Sequence, residues 1–120
     1  MTKGQVLVIG IDAAAIPGLD AGAVGAAITR GQDRFAELGI EADVCSVALD
    51  ANAEGLIVEA LTRKDYDCVV IGGGIRKPEA LLEVFEKVVN LVRQHAPGAA
   101  IAFNTSPEDS PDAALRWLSQ

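Results

Sequence analysis

Short apolar runs alternate along the chain with longer stretches in which apolar and polar positions interleave. Gln5-Val6-Leu7-Val8-Ile9-Gly10-Ile11 is a nearly unbroken aliphatic and β-branched run, the pattern of a strand covered on both faces by helices. From about Asp20 to Leu38, the residues Val24, Ala27, Ile28, Phe35 and Leu38 recur at roughly the helical period. Arg30, Asp33, Arg34 and Glu37 fill the other face, so this stretch predicts an amphipathic helix. Gly39 supplies a left-handed stop, and Asp43-Val44-Cys45-Ser46-Val47-Ala48-Leu49 reads as a second, more polar strand. Asp50 or Asn52 can accept from the free amides opening a second helix with the stripe Leu56, Ile57, Ala60 and Leu61, which ends at Arg63-Lys64-Asp65. Cys68-Val69-Val70-Ile71-Gly72 is a third, buried strand. Pro78 suits the first position of a third helix running to about His95, with Glu79 and Glu83 near its positive end. Pro97-Gly98 interrupts the chain, Ala99 to Phe103 forms a fourth strand, and Ser106-Pro107 or Ser110-Pro111 caps a short last helix carrying Leu115, Trp117 and Leu118.

Strands of this length alternating with helices imply right-handed βαβ units and therefore a mainly parallel sheet. The order 2-1-3-4 buries the two most apolar strands centrally and leaves the polar second strand at an edge. The expectation is a three-layer α/β fold of flavodoxin-like or Rossmann-like layout, with residues 1–120 forming one domain. In that order the first strand separates Cys45 from Cys68 by two strand spacings, roughly 4.8 Å each, beyond the reach of a disulfide. Both cysteines are expected to be free thiols.

Composition narrows the functions. Half of the 120 residues are hydrophobic, enough to build a core, but only 4% are aromatic, so aliphatic side chains must fill it. Seventeen acidic against ten basic side chains give a net charge of −7, which repels phosphate backbones and anionic membranes, so neither nucleic acid nor a membrane is an expected partner. No apolar run reaches the roughly 20 residues of a bilayer span. The start, Met1-Thr2-Lys3-Gly4, leads into a run too short for a secretory signal, and a cytoplasmic setting is expected. The two cysteines and the single histidine, His95, lack the spacing of a metal site, so none is predicted.

In an open parallel sheet, ligands gather beyond the carboxyl ends of the strands where the winding reverses, here between the first and third strands. Three loops meet there: Asp12 with residues 13–18, Gly72 to Lys77, and Asn104-Thr105-Ser106. Gly72, Gly73 and Gly74 permit close approach, and Arg76 and Lys77 add positive charge that can grip a phosphate or carboxylate. The same residues also suit a tight strand-to-helix turn with both cations in solvent. Asp12 can accept a proton, hold a metal or bind a ligand hydroxyl, or it can simply fix the turn. Asn104 and Thr105 can orient a polar ligand, while Ser106-Pro107-Glu108-Asp109 also fits a helix cap. A dinucleotide fingerprint, a Walker A loop and a serine-hydrolase elbow are all missing from the sequence. The acceptor aspartate of a phosphoreceiver is replaced by Gly72-Gly73-Gly74.

Asp67 to Arg76, Phe85-Glu86-Lys87-Val88-Val89-Asn90, His95-Ala96-Pro97 and Ile101-Ala102-Phe103-Asn104-Thr105 together resemble a family of small uncharacterised bacterial proteins with a flavodoxin-like layout. The resemblance runs from Asp67 to Trp117, and Gly-Gly-Gly-Ile-Arg and Phe-Asn-Thr are its distinctive segments. It implies the fold and a bacterial cytoplasmic setting, and it brings no activity or cofactor with it. The functional expectation is a small anionic or nucleotide-like ligand held by Asp12, Gly72, Gly73, Gly74, Arg76, Lys77, Asn104 and Thr105. The alternative is a noncatalytic regulatory or protein-interaction domain acting as a homodimer, with the broad apolar band Leu81, Leu82, Val84, Phe85, Val88, Val89, Leu91 and Val92 as its contact surface.

Overall fold

The apolar runs become four parallel strands, β1 (Gln5–Ile11), β2 (Glu41–Val47), β3 (Cys68–Ile71) and β4 (Ala100–Phe103), in the order β2-β1-β3-β4. The structure is a computed structural model and describes residues 4–12, 18 and 20–118. Among the described residues, five helices, α1 (Ala21–Glu37), α2 (Ala53–Arg63), α3 (Gly73–Arg76), α4 (Leu82–His95) and α5 (Ser110–Leu118), complete an α/β fold of three layers with the flavodoxin-like layout. Among the described residues, no helix is long and apolar enough to cross a membrane.

Side chains alternate across the strands, and each face has its own core. Leu7, Ile9, Val69 and Ile71 pack with Ile57 and Leu61 of α2 and Val88 and Val92 of α4. Val6, Val8, Cys68, Val70 and Ala102 pack with Phe35 of α1 and Ala113 and Ala114 of α5. Burying an aliphatic side chain of this size contributes about 1.5–3 kcal/mol. Both faces must therefore be apolar along β1 and β3, whereas β2, with one side open, tolerates Glu41, Asp43 and Ser46. Asp43 accepts a 2.7 Å bond from the buried Tyr66 hydroxyl and pairs with Lys64 at 3.0 Å. Cys45 lies beside Ile9 and Cys68 beside Val6, with β1 between them, and both are free thiols. Burial pushes the Cys68 thiol up to about 11 and raises Cys45 as well.

Three features differ from the sequence expectation. β2 begins at Glu41, directly after Gly39 turns the chain at φ 73°, and pairs with β1 from Gln5↔Glu41 to Ile11↔Val47. The pairing with β1 ends at Ile11↔Val47, and Ala48 and Leu49 fall outside the strand. The second helix buries Ile57, Ala60 and Leu61 but leaves Leu56 exposed, and Asp50 turns back to the Asn52 amide (2.8 Å) just ahead of the helix. The largest difference is after β3. Instead of one helix from Pro78, the chain makes the single turn α3, then an extended Pro78 (φ −68°, ψ 123°) and a 3-10 turn at Glu79–Leu81, and only then α4. Pro78 lacks the N–H that would continue α3, so the helix stops before it.

Most of the broad apolar band on α4 is used internally. Val88, Leu91 and Val92 are buried, Val84, Phe85 and Val89 pack on the same core, and Phe85 meets Phe103 edge to face at 5.7 Å. Leu82 stays 61% exposed.

Candidate functional site

The winding reverses between β1 and β3, and a cavity of about 380 Å³ opens at the carboxyl ends of the strands, on the face covered by α1 and α5. That size falls within the range of small-molecule sites, roughly 300–1,000 Å³. Val8 and Gly10 of β1 and Val44 and Ser46 of β2 form its floor, and Val24, Ile28 and Gln32 of α1 line it at successive helical turns. Gly72, Gly73, Gly74, Lys77, Asn104 and Thr105 close the other side. Gly10 lets the cavity exist: an added Cβ there would have no neighbour within 4 Å among the described residues, because it would project into the opening. Val24 and Ile28 are only half-buried and Val44 is 38% exposed, so, among the described residues, apolar surface on both walls faces the cavity.

The two loops that meet at β3 and β4 are bound to each other. Asn104 is 3% exposed; its side-chain carbonyl accepts from the Gly73 N–H (2.8 Å), and its amide donates to the Ser110 hydroxyl (2.8 Å). Arg76 donates to the Asn104 backbone carbonyl at 2.9 Å, and its guanidinium lies 5.9 Å from the centre of the Phe103 ring. The Arg76 Nε is buried and makes no hydrogen bond. Lys77 donates to the Thr105 carbonyl (2.7 Å), which leaves two of its three ammonium hydrogens for solvent or a guest. The loop needs glycine for packing: a Cβ at Gly72 would come 3.2 Å from the Ile9 carbonyl, and one at Gly73 would come 3.3 Å from the Thr105 carbonyl.

Beyond β4, the Ser106-Pro107-Glu108-Asp109 sequence is a cap as well as a wall. Asp109 accepts from the Thr105 N–H (2.9 Å), the Ser106 N–H (3.3 Å) and the Thr105 hydroxyl. Partial burial alone would raise the Asp109 carboxyl, but these bonds outweigh it and hold the carboxyl below its ordinary range. The Arg34 fork (2.8 Å to each oxygen), against a smaller opposing effect of desolvation, does the same for Asp112. A carboxyl depressed in the folded state adds stability that is fully present above its ordinary value of 3.8 and is lost as pH falls through the depressed value. Thermal unfolding followed from about pH 6 to about pH 3 should therefore show Tm falling at the acid end. Asp109→Asn should lower Tm at the neutral end and flatten that fall; parallel curves for variant and parent would rule out the assignment.

Six of the eight residues expected from the sequence line one cavity: Gly72, Gly73, Gly74, Lys77, Asn104 and Thr105. Arg76 is not among the lining residues and instead holds the Asn104 carbonyl. Asp12 follows β1, with its N–H bonded to the Val47 carbonyl (2.8 Å), and its carboxylate is not part of the described lining. Residues 13–17, expected in the same loop, lie outside the described residues. Sequence reasoning missed the apolar half of the site, Val24, Ile28 and Val44, and the amide and hydroxyls of Gln32, Ser46 and Ser110. One signal was available: Gly10 interrupts an otherwise aliphatic central strand, and a glycine there often marks close approach by a ligand or another backbone.

Compared with protein-family models, with curated proteins and with solved structures, the chain finds no match.

Proposed function

We propose that this chain is a single cytoplasmic domain that binds a small anionic metabolite or nucleotide-like ligand at the carboxyl ends of β1 and β3. The observation that carries the reading is the cavity itself, about 380 Å³ at the reversal of the sheet, with the Lys77 ammonium at its rim and glycine backbone along one wall. In this reading Lys77 attracts the anion, and Gly72, Gly73 and Gly74 admit it. Asn104 and Thr105 form the rigid frame, and Arg76 holds that frame from behind. Asp12 follows β1, one of the two strands that flank the reversal.

The test is a titration with a panel of anions, inorganic phosphate, adenosine monophosphate and aromatic carboxylates, followed by amide NMR. At least one should shift the signals of Gly73, Lys77 and Thr105, and Gly10→Leu, which fills the cavity, should abolish the shift. A panel that leaves these amides unmoved would reject the reading.

A second reading, a homodimer acting through its surface, is favoured by the exposure of Leu82 (61%) on α4 and of Phe103 (39%) on β4, the strand at one edge of the sheet. Sedimentation of Leu82→Asp beside the parent decides it, because a monomer in both cases removes that reading.

A further inference from the structure

Resting on the binding reading above, we infer that the ligand is an amphipathic monoanion. A flat apolar body lies between α1 and the sheet, and a single carboxylate is held by Lys77; a phosphate ester does not fit the site as well. Three observations point this way. The first is the character of the walls: Val8, Val44, Val24 and Ile28 line the part of the cavity between β1, β2 and α1, and Gly10 adds only backbone. Apolar surface left open inside a cavity is satisfied by an apolar guest.

The second is the kind of donor found among the described lining residues. A phosphate offers three acceptor oxygens and close to two charges, and it is usually met by several amides or by a planar arginine. Here the Gly73 N–H is taken by Asn104, one hydrogen of the Asn104 amide by Ser110, one of the Gln32 amide by the Ala42 carbonyl (2.9 Å), and the Thr105 hydroxyl by Asp109, and the Ser46 and Ser110 hydroxyls that also line the cavity are neutral. Arg76 faces the Asn104 carbonyl and the Phe103 ring. Among the described lining residues, Lys77 is the one cation. A compact ammonium with two hydrogens to offer matches a single carboxylate. The third is charge. Asp109 bonds to Thr105 at the cavity wall and the chain carries −7 overall, so a dianion meets more repulsion than a monoanion.

The experiment compares four probes by calorimetric titration on the full chain: naphthoate, its neutral analogue naphthamide, adenosine monophosphate and inorganic phosphate. Naphthoate should bind about tenfold tighter than naphthamide, and Lys77→Met, which keeps the apolar stem, should erase that difference. Gly10→Leu and, independently, Val44→Phe should weaken both ring compounds at least tenfold. If adenosine monophosphate or inorganic phosphate binds and naphthoate does not, the inference is overturned while the broader reading stands. If no probe binds, both fall. If naphthoate binds equally well to the parent, Lys77→Met and the two filling variants, it sits elsewhere on the surface and the inference is likewise overturned.

Discussion

Gly31→Ala should destabilise the chain by about 2–3 kcal/mol, although the same exchange in an exposed helix interior gains up to about 1 kcal/mol. Gly31 is buried in the middle of α1, where that helix crosses the 3-10 turn Pro107–Asp109. A Cβ built on Gly31 would stand 2.4 Å from the Pro107 carbonyl oxygen and 3.3 Å from its carbon. Those are backbone atoms, and rotating a side chain cannot relieve the contact. The neighbourhood is held rigidly as well. Arg30 pairs with the Glu108 carboxylate, and Arg34 bonds to the Glu108 carbonyl at 2.7 Å and to Asp112 through both nitrogens. The helix must therefore move outward against these ties, or the turn must deform. Gly25 is the internal control, because it lies in the same helix, is exposed, and has nothing within 4 Å of its built Cβ among the described residues. Urea unfolding of the two variants should give shifts of opposite sign. A stabilised Gly31→Ala protein would show that the crossing is looser than described here. Because the same crossing forms the far wall of the cavity, Gly31→Ala should also weaken any ligand bound there.

Asn104→Ala should cost about 3 kcal/mol, since it leaves the buried Gly73 N–H without its acceptor and the Ser110 hydroxyl without its donor. An unsatisfied buried group costs about 1–3 kcal/mol, and the void left by the amide adds to this. Ser110→Ala removes one contact of the pair and should cost about 1 kcal/mol. The double variant should be scarcely worse than Asn104→Ala alone, because both changes break the same Asn104–Ser110 bond. Equilibrium unfolding of the three proteins measures the coupling. Strict additivity of the two single effects would mean that Asn104 and Ser110 do not act as a unit. The bracket matters for binding too: it sets the distance between the β3 and β4 loops, so the Asn104→Ala cavity should bind the carboxylate probe more weakly at temperatures where the variant is still folded.

Much of the fold could be read from periodicity. Unbroken aliphatic runs at Gln5–Ile11 and Cys68–Ile71 identified the central strands, and the mixed polarity of Glu41–Val47 identified an edge. Both follow from burial, which acts on each residue in proportion to its own surface. The errors lay where the deciding partner is remote in sequence. The end of β2 coincides with the end of its pairing with β1, and the extent of the third helix was set by a proline whose missing N–H outweighed its suitability as a first helical residue. For the site, the sheet order located the cleft and its glycine loop. Nothing local foretold that Arg76 would turn to Asn104 while Lys77 stayed at the rim, because the carbonyls that hold the two cations, of Asn104 and Thr105, each lie 28 positions away in sequence.

The amino-acid order alone determined the alternation of strands and helices, the parallel sheet and its order, and the end of the sheet at which the cavity opens, because each follows from short-range pattern and chain handedness. Tertiary structure alone decided the character of that site. Which donors are left for a guest depends on which are already bound to residues such as Asn104 and Gly73, 31 positions apart. Whether Val24, Ile28 and Val44 are buried core or cavity wall depends on a glycine in a neighbouring strand that puts no side chain among the described residues between them.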